Sequence, residues 1–137
     1  MKFLSKTQAN IISNPNIDLI IKTNRLRTFE AFVDTGFDGY VCINEDLAKI
    51  IQLETSKKGT ITINADGQKT FNQVALIHIS FGDFELPFTE YSVPAILKPN
   101  LDKDMIIGNK FINKFCRDNQ LIFCVDHIGG LIYFAGR

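Results

Sequence analysis

The chain has 137 residues, with 15 Lys+Arg set against 15 Asp+Glu, so it carries no net charge at pH 7. That length suits one domain with a real core, and 45% hydrophobic with 22% charged residues is globular composition rather than disorder. Neutrality removes the usual electrostatic basis for a nucleic-acid or acidic-membrane partner, and no apolar run approaches the ~18 residues of a membrane span.

Residues 1–9 offer only Phe3-Leu4 as an apolar pair, too short for a signal-peptide core, so a cytoplasmic protein is expected. Residues 1–15 read as either a loose N-terminal extension or an ordered strand. Residues 17–23 form a β-branched run, Asn24-Arg25 a turn, and residues 26–33 a second run in which Phe29, Ala31 and Val33 alternate with Glu30. Together they predict a hairpin that delivers the chain to Asp34. Residues 40–43 are a short apolar strand. Asn44 then caps a helix over 45–51, with Glu45 and Asp46 in its first turn and Leu47, Ile50 and Ile51 on its apolar face.

Residues 59–64 and 69–80 read as strands joined by Ala65-Asp66-Gly67-Gln68, whose Asp-Gly is a strong hairpin signal. Gly82-Asp83 turns the chain into a strand at 84–88. Pro94, Pro99 and the polar stretch 98–103 predict a surface loop. Met105-Ile106-Ile107 is a brief strand that stops at Gly108. Asn109 is placed to cap a helix over 110–115 with Phe111, Ile112 and Phe115 on one face. A terminal hairpin follows, 121–125 and 131–134, turning at Gly129-Gly130. The class is mostly β, a single domain over 1–137 with one or two short helices and no repeat or linker.

The three cysteines, Cys42, Cys116 and Cys124, are odd in number and read as small buried apolar side chains. Cys116, Cys124 and His127 have the spacing C-x7-C-x2-H, which matches no zinc signature, so no metal is expected. His78 reads as a surface-facing strand residue and His127 as a solvated turn residue. No Ser-His-Asp order, phosphate-binding Gly-rich loop or HExxH motif is present. The 12 Phe, with no Trp, suit a core and a groove lining.

The chemistry centres on Asp34-Thr35-Gly36. An apolar strand, Ala31-Phe32-Val33, runs straight into a carboxylate on a tight turn. Thr35 supplies a hydroxyl, and Gly36 permits close backbone approach. At these residues the chain resembles the retropepsin-like aspartic proteases, over roughly residues 17–134. Three features carry the resemblance in the right order. They are Val33-Asp34-Thr35-Gly36 as catalytic loop, the hairpin at Ala65-Asp66-Gly67-Gln68 as flap, and Met105-Ile106-Ile107-Gly108 followed by a helix and a hairpin.

The resemblance implies a small closed β-barrel-like lobe, with Asp34 catalytic and Thr35, Gly36, Ile107 and Gly108 supporting its loop. It places Phe37, Asp38, Gly39, Asn64, Ala65, Asp66 and Gly67 at the substrate groove and flap. It implies no cofactor, and a peptide or protein as substrate. Phe37 departs from the small residue many retroviral members carry, and it either narrows a pocket or packs in the interface. The mechanism needs two carboxylates about one water, yet the chain has a single Asp-Thr-Gly. A homodimer with Asp34 from each subunit meets that need, with the terminal hairpin as a candidate interface. The alternative is a peptide-binding or scaffold module of the same dimeric fold with little turnover.

Overall fold

The computed structural model describes residues 3–8, 16–63, 65–81, 86–126, 128 and 131–136. In chain order these form β1 (Phe3–Gln8), β2 (Asn16–Lys22), β3 (Leu26–Val33), β4 (Val41–Asn44), α1 (Glu45–Ile50) and β5 (Thr55–Ile63). There follow β6 (Lys69–Ser80), β7 (Glu90–Lys98), β8 (Met105–Ile107), α2 (Asn109–Asn119), β9 (Leu121–Asp126) and β10 (Leu131–Gly136). The expected turns at Gly82-Asp83 and Gly129-Gly130, together with Asn64 and His127, lie outside the described residues.

Side-chain alternation turns these strands into a closed lobe. On β2 and β3, Leu19, Ile21, Ala31 and Val33 point inward, and the two strands pair antiparallel with Ile17 opposite Ala31. The large sheet runs β2-β3-β8-β4-β7-β6-β5, and β2 also pairs with β6 through Ile21 and Ile79. Six strands thus form a ring, and β5 lies outside it on the edge of β6. Closure leaves the six strands little open edge, the first half of β7 on its β4 side being one stretch that stays unpaired. The mostly-β, barrel-like architecture expected from the sequence is the one observed.

The second layer is a small sheet, β1-β10-β9. Residues 3–8 are therefore strand, paired with β10 from Phe3 opposite Ala135 to Gln8 opposite Leu131. Helix α2 lies between the two layers. Phe111 and Phe115 are buried, with Phe115 4.8 Å from the Phe134 ring on β10 and 4.6 Å from the Phe81 ring at the end of β6. These offset and edge-on ring contacts add to the burial that docks the small sheet against the barrel.

Four local expectations need correction. Strand β7 passes straight through Pro94, where a loop is expected. The unpaired edge explains it: β4 joins β7 only from Ala95, opposite Val41, and proline is tolerated at such an edge. Leu86–Phe88, by contrast, is not strand but part of the approach to β7, with Pro87 in its middle. Helix α2 starts at Asn109 and runs to Asn119, so Gly108 rather than Asn109 is its N-cap, and Gln120 ends it in the left-handed region at φ 54. On α1, Asn44 caps as expected, accepting from the N–H groups of Asp46 and Leu47. The buried face, however, carries Ala48 and Ile51, and Ile50 is 68% exposed. At ~100° per residue Ile50 lies about 130° from the middle of the Ala48–Ile51 face, so it points away from the core.

Candidate active site

The site begins with the order of three strands. β8 runs between β3 and β4, parallel to the first at Val33–Ile107 and antiparallel to the second at Val41–Ile107. The loop from Asp34 to Tyr40 must therefore cross the end of β8, where Gly108 lies. Its backbone is tied there at Asp34, Phe37, Gly39 and Tyr40. The Asp34 N–H donates to the Ile107 carbonyl at 3.0 Å and the Gly108 N–H to Tyr40 at 2.9 Å. The N–H groups of Asn109 and Lys110 donate to the carbonyls of Phe37 and Gly39 at 2.7 and 3.2 Å. The first turn of α2 thus spends its orphan donors on this loop instead of on a side-chain cap.

Within the loop, the Gly36 N–H donates to Asp34 Oδ1 at 2.9 Å, and the Phe37 N–H donates to the Asp34 carbonyl at 3.2 Å. A Cβ on Gly36 would lie 3.2 Å from that same Oδ1, so the turn suits a residue without one. Asp34 is half-buried, with Oδ1 engaged by the Gly36 N–H, while Thr35 is exposed. The ring of Phe37 folds back over Gly39, where a Cβ would come within 2.5 Å of it. Phe37 is thereby both cleft wall and packing against Gly39.

Asp34, Gly36, Phe37, Asp38 and Gly39 line one open cleft of about 410 Å³. Gly108 supports the loop from beneath. Ile107 turns into the core and contributes its carbonyl, while its neighbour Ile106 faces the cleft. Ala65, Asp66 and Gly67 lie exposed at the tip of the β5–β6 hairpin and do not reach the cleft lining, whereas Ile63 at the end of β5 does. The tip is a tight turn in which the Gln68 N–H donates to Asp66 Oδ1 at 3.0 Å and Gly67 takes φ +84.

Sequence reasoning missed the apolar part of the wall, Cys42, Ile63, Ile96, Leu101 and Ile106, and its two cations, Lys98 and Lys110. Alternation would have found Ile106 once Ile107 was placed in the core. Ile96 and Lys98 were hidden because Pro94 and Pro99 broke the strand pattern. The Cys42 thiol is pushed up from its ordinary 9.0 to about 11 by burial, which outweighs the opposing pull of Lys98. It is a poor nucleophile. Cys116 is buried and Cys124 half-buried. His78 is exposed and shares a 2.6 Å hydrogen bond with Ser92. Among the described residues no group of three metal-ligating side chains converges, and no helix is long and apolar enough to cross a membrane.

A family model described as gag-polyprotein putative aspartyl protease matches residues 20–114 of the chain. That span runs from β2 to the middle of α2 and holds the whole loop–β8 arrangement. Among solved structures, the chain is similar to EIAV protease complexed with the inhibitor HBY-793, with a TM-score of 0.56 at 13% identity. That likeness covers 82% of this chain and 93% of that one. It is also similar to the retroviral protease-like domain of Ddi1 from Leishmania major, at 16% identity and a TM-score of 0.47, covering 89% and 90%. No curated protein matches.

Proposed function

Because the chain belongs to the gag-polyprotein putative aspartyl protease family, we propose that it is an aspartic endopeptidase whose working form is a homodimer. The observation that carries this reading is the placement of Asp34. It is a half-buried carboxylate on a loop anchored to Ile107, Gly108 and α2, opening into a cleft beside the β5–β6 hairpin. One subunit supplies one such carboxylate. Two subunits related by a two-fold axis supply two, and paired carboxylates sharing a proton are the established chemistry of aspartic proteases.

In the dimer, the ionised Asp34 takes a proton from a water held between the pair, and that water attacks the scissile carbonyl carbon. The protonated Asp34 of the other subunit donates to the carbonyl oxygen. Collapse of the tetrahedral intermediate passes a proton to the leaving amine. Thr35, exposed beside the carboxylate, braces the loop against its two-fold mate in this reading. The β5–β6 hairpin supplies backbone groups to an extended peptide as a strand addition would. No metal or cofactor is needed for any step.

The test is cleavage of a diverse peptide mixture at pH ~4–7 by the wild type and by Asp34→Asn. Cleavage by the wild type and none by the variant is the expected result. Cleavage that survives in Asp34→Asn would remove Asp34 from the mechanism. A folded dimer that binds peptides and never cuts them would make the protein a binding module of this fold.

A further inference from the structure

β7 sends Tyr91, Val93, Ala95 and Leu97 into the core. The same alternation throws Ile96 and Lys98 to the opposite face, where both line the Asp34 cleft. Lys98 ends the strand with its backbone fixed in the sheet opposite Asn44, and Asn44 is itself anchored through a 2.8 Å bond to the Leu101 carbonyl. Its backbone is therefore fixed at the cleft, and the side chain starts from a set point on the wall.

Lys98 is half-buried, and the cleft it lines is bounded on its apolar side by Cys42, Ile96, Leu101 and Ile106. Its charge is felt inside the wall, since it opposes the upward push of burial on the Cys42 thiol. It takes no part in the Lys49–Glu45 or Lys114–Asp118 ion pairs. Of the other charged groups on the cleft, Asp34 has one oxygen committed to the Gly36 N–H. Asp38 is exposed, and the Lys110 ammonium lies 6.0 Å from the Tyr40 ring centroid. A half-buried cation beside an apolar stretch of cleft wall gains more from an incoming carboxylate than a lysine in open water would.

We propose that Lys98 makes this cleft selective for peptides that carry an Asp or Glu side chain close to the scissile bond, the carboxylate pairing with the Lys98 ammonium. The inference rests on the peptidase reading and names the substrate class for the same site. The aliphatic walls accept the methylenes of the acidic side chain, and the ammonium accepts its head.

The experiment uses one cleavable peptide and a set of its variants with Glu, Gln or Lys placed in turn at each position near the cut. The wild type is expected to show kcat/KM roughly tenfold higher for Glu than for Gln at one position, and lower again for Lys. In Lys98→Met that Glu-to-Gln ratio should fall to near one, and in Lys98→Glu it should invert in favour of Lys. A wild type blind to charge at every position, or a Lys98→Met variant that keeps the Glu preference, would overturn the proposal. If the wild type cuts none of the peptides, the peptidase reading fails separately, and the same peptides are then titrated against Asp34→Asn. Binding that favours Glu and loses that preference on Lys98→Met still supports the acidic pocket. Binding indifferent to charge, or none, overturns it.

Discussion

The carbonyl oxygen of Gly39 occupies the place where a Cβ on Gly108 would have to stand, and the carbonyl oxygen of Phe37 crowds the same point at 2.6 Å. The Asp34 loop and the end of β8 are packed backbone to backbone, and the three N–H bonds from Gly108, Asn109 and Lys110 depend on that closeness. Gly108→Ala must push the loop outward. It should cost ~2–3 kcal/mol, overpacking against rigid backbone being typically worth that much, and it should lower peptidase activity by displacing Asp34. Gly67→Ala is the contrast. Nothing lies within 4 Å of its Cβ, and only its φ of +84 opposes the change, so ~1 kcal/mol is expected. Denaturant melts of both variants decide it, and a Gly108→Ala protein as stable as the wild type would contradict the packing.

If each active centre takes one Asp34 from each subunit, activity per mole must fall on dilution through the dimer dissociation constant. Specific activity measured over a wide range of enzyme concentration should bend downward where sedimentation shows monomer appearing. Mixing wild type with excess Asp34→Asn should poison the wild-type chains by forming heterodimers. Activity proportional to concentration throughout, with no effect of the variant, would mean that one chain suffices.

Cys42 and Tyr91 are buried acids whose ionisation should weaken the fold at alkaline pH. Burial raises the Cys42 thiol from 9.0 to about 11. Burial, helped by the Asp118 charge, raises the Tyr91 phenol from 10.0 to about 12. In each case the fold favours the protonated form. The stabilisation is therefore complete below the ordinary value and is lost as pH rises toward the raised one, between 9.0 and about 11 for Cys42. Thermal melts should show Tm falling as pH climbs through this window. Cys42→Ala should flatten the lower part of the fall, and an identical decline in that variant would rule out Cys42 as its source. By the same physics a thiol reagent at pH ~8 should label Cys124 before Cys42.

Asn119 ties the approach to β7 onto the last turn of α2. Its Oδ1 accepts from the Phe88 N–H at 3.1 Å, and its Nδ2 lies 2.9–3.1 Å from the carbonyls of Phe88 and Phe115 and the Tyr91 hydroxyl. Asn119→Ala should destabilise the protein by ~1–3 kcal/mol, because several partly buried groups lose their partner together. Asn119→Asp keeps the acceptor for Phe88 but sets a carboxylate oxygen against the Phe88 and Phe115 carbonyls at a helix C-terminus, so at neutral pH it should cost at least as much as Asn119→Ala. Equal melting temperatures for all three proteins would show that the network adds nothing.

Most strands were legible because period-two alternation survives wherever one face is buried: β3, β6 and β8 end where the pattern ends, and Asp66-Gly67 marks the hairpin between β5 and β6. Where prolines interrupted the pattern, at Pro94, legibility stopped. Local composition signals a break there, whereas the break is absorbed by an edge that β4 leaves unpaired, and pairing is a property of two segments. The N-cap of α2 was misplaced for a similar reason. Asn109 is a good capping residue by type, but its helix end is satisfied by Phe37 and Gly39, some seventy residues earlier in the chain.

The sequence by itself determined the mostly-β class, the hairpins and a carboxylate on a glycine turn at a strand end, because each depends on neighbours a few residues apart. Only the tertiary structure decided what surrounds that carboxylate. β8 had to insert between β3 and β4 before Gly108 could meet Gly39, and the ring of six strands had to close before Ile63, Lys98 and Ile106 could share one cleft with Asp34. Contacts between residues far apart in the chain are set by which strands pair and in what register, and no local pattern of side chains carries that choice.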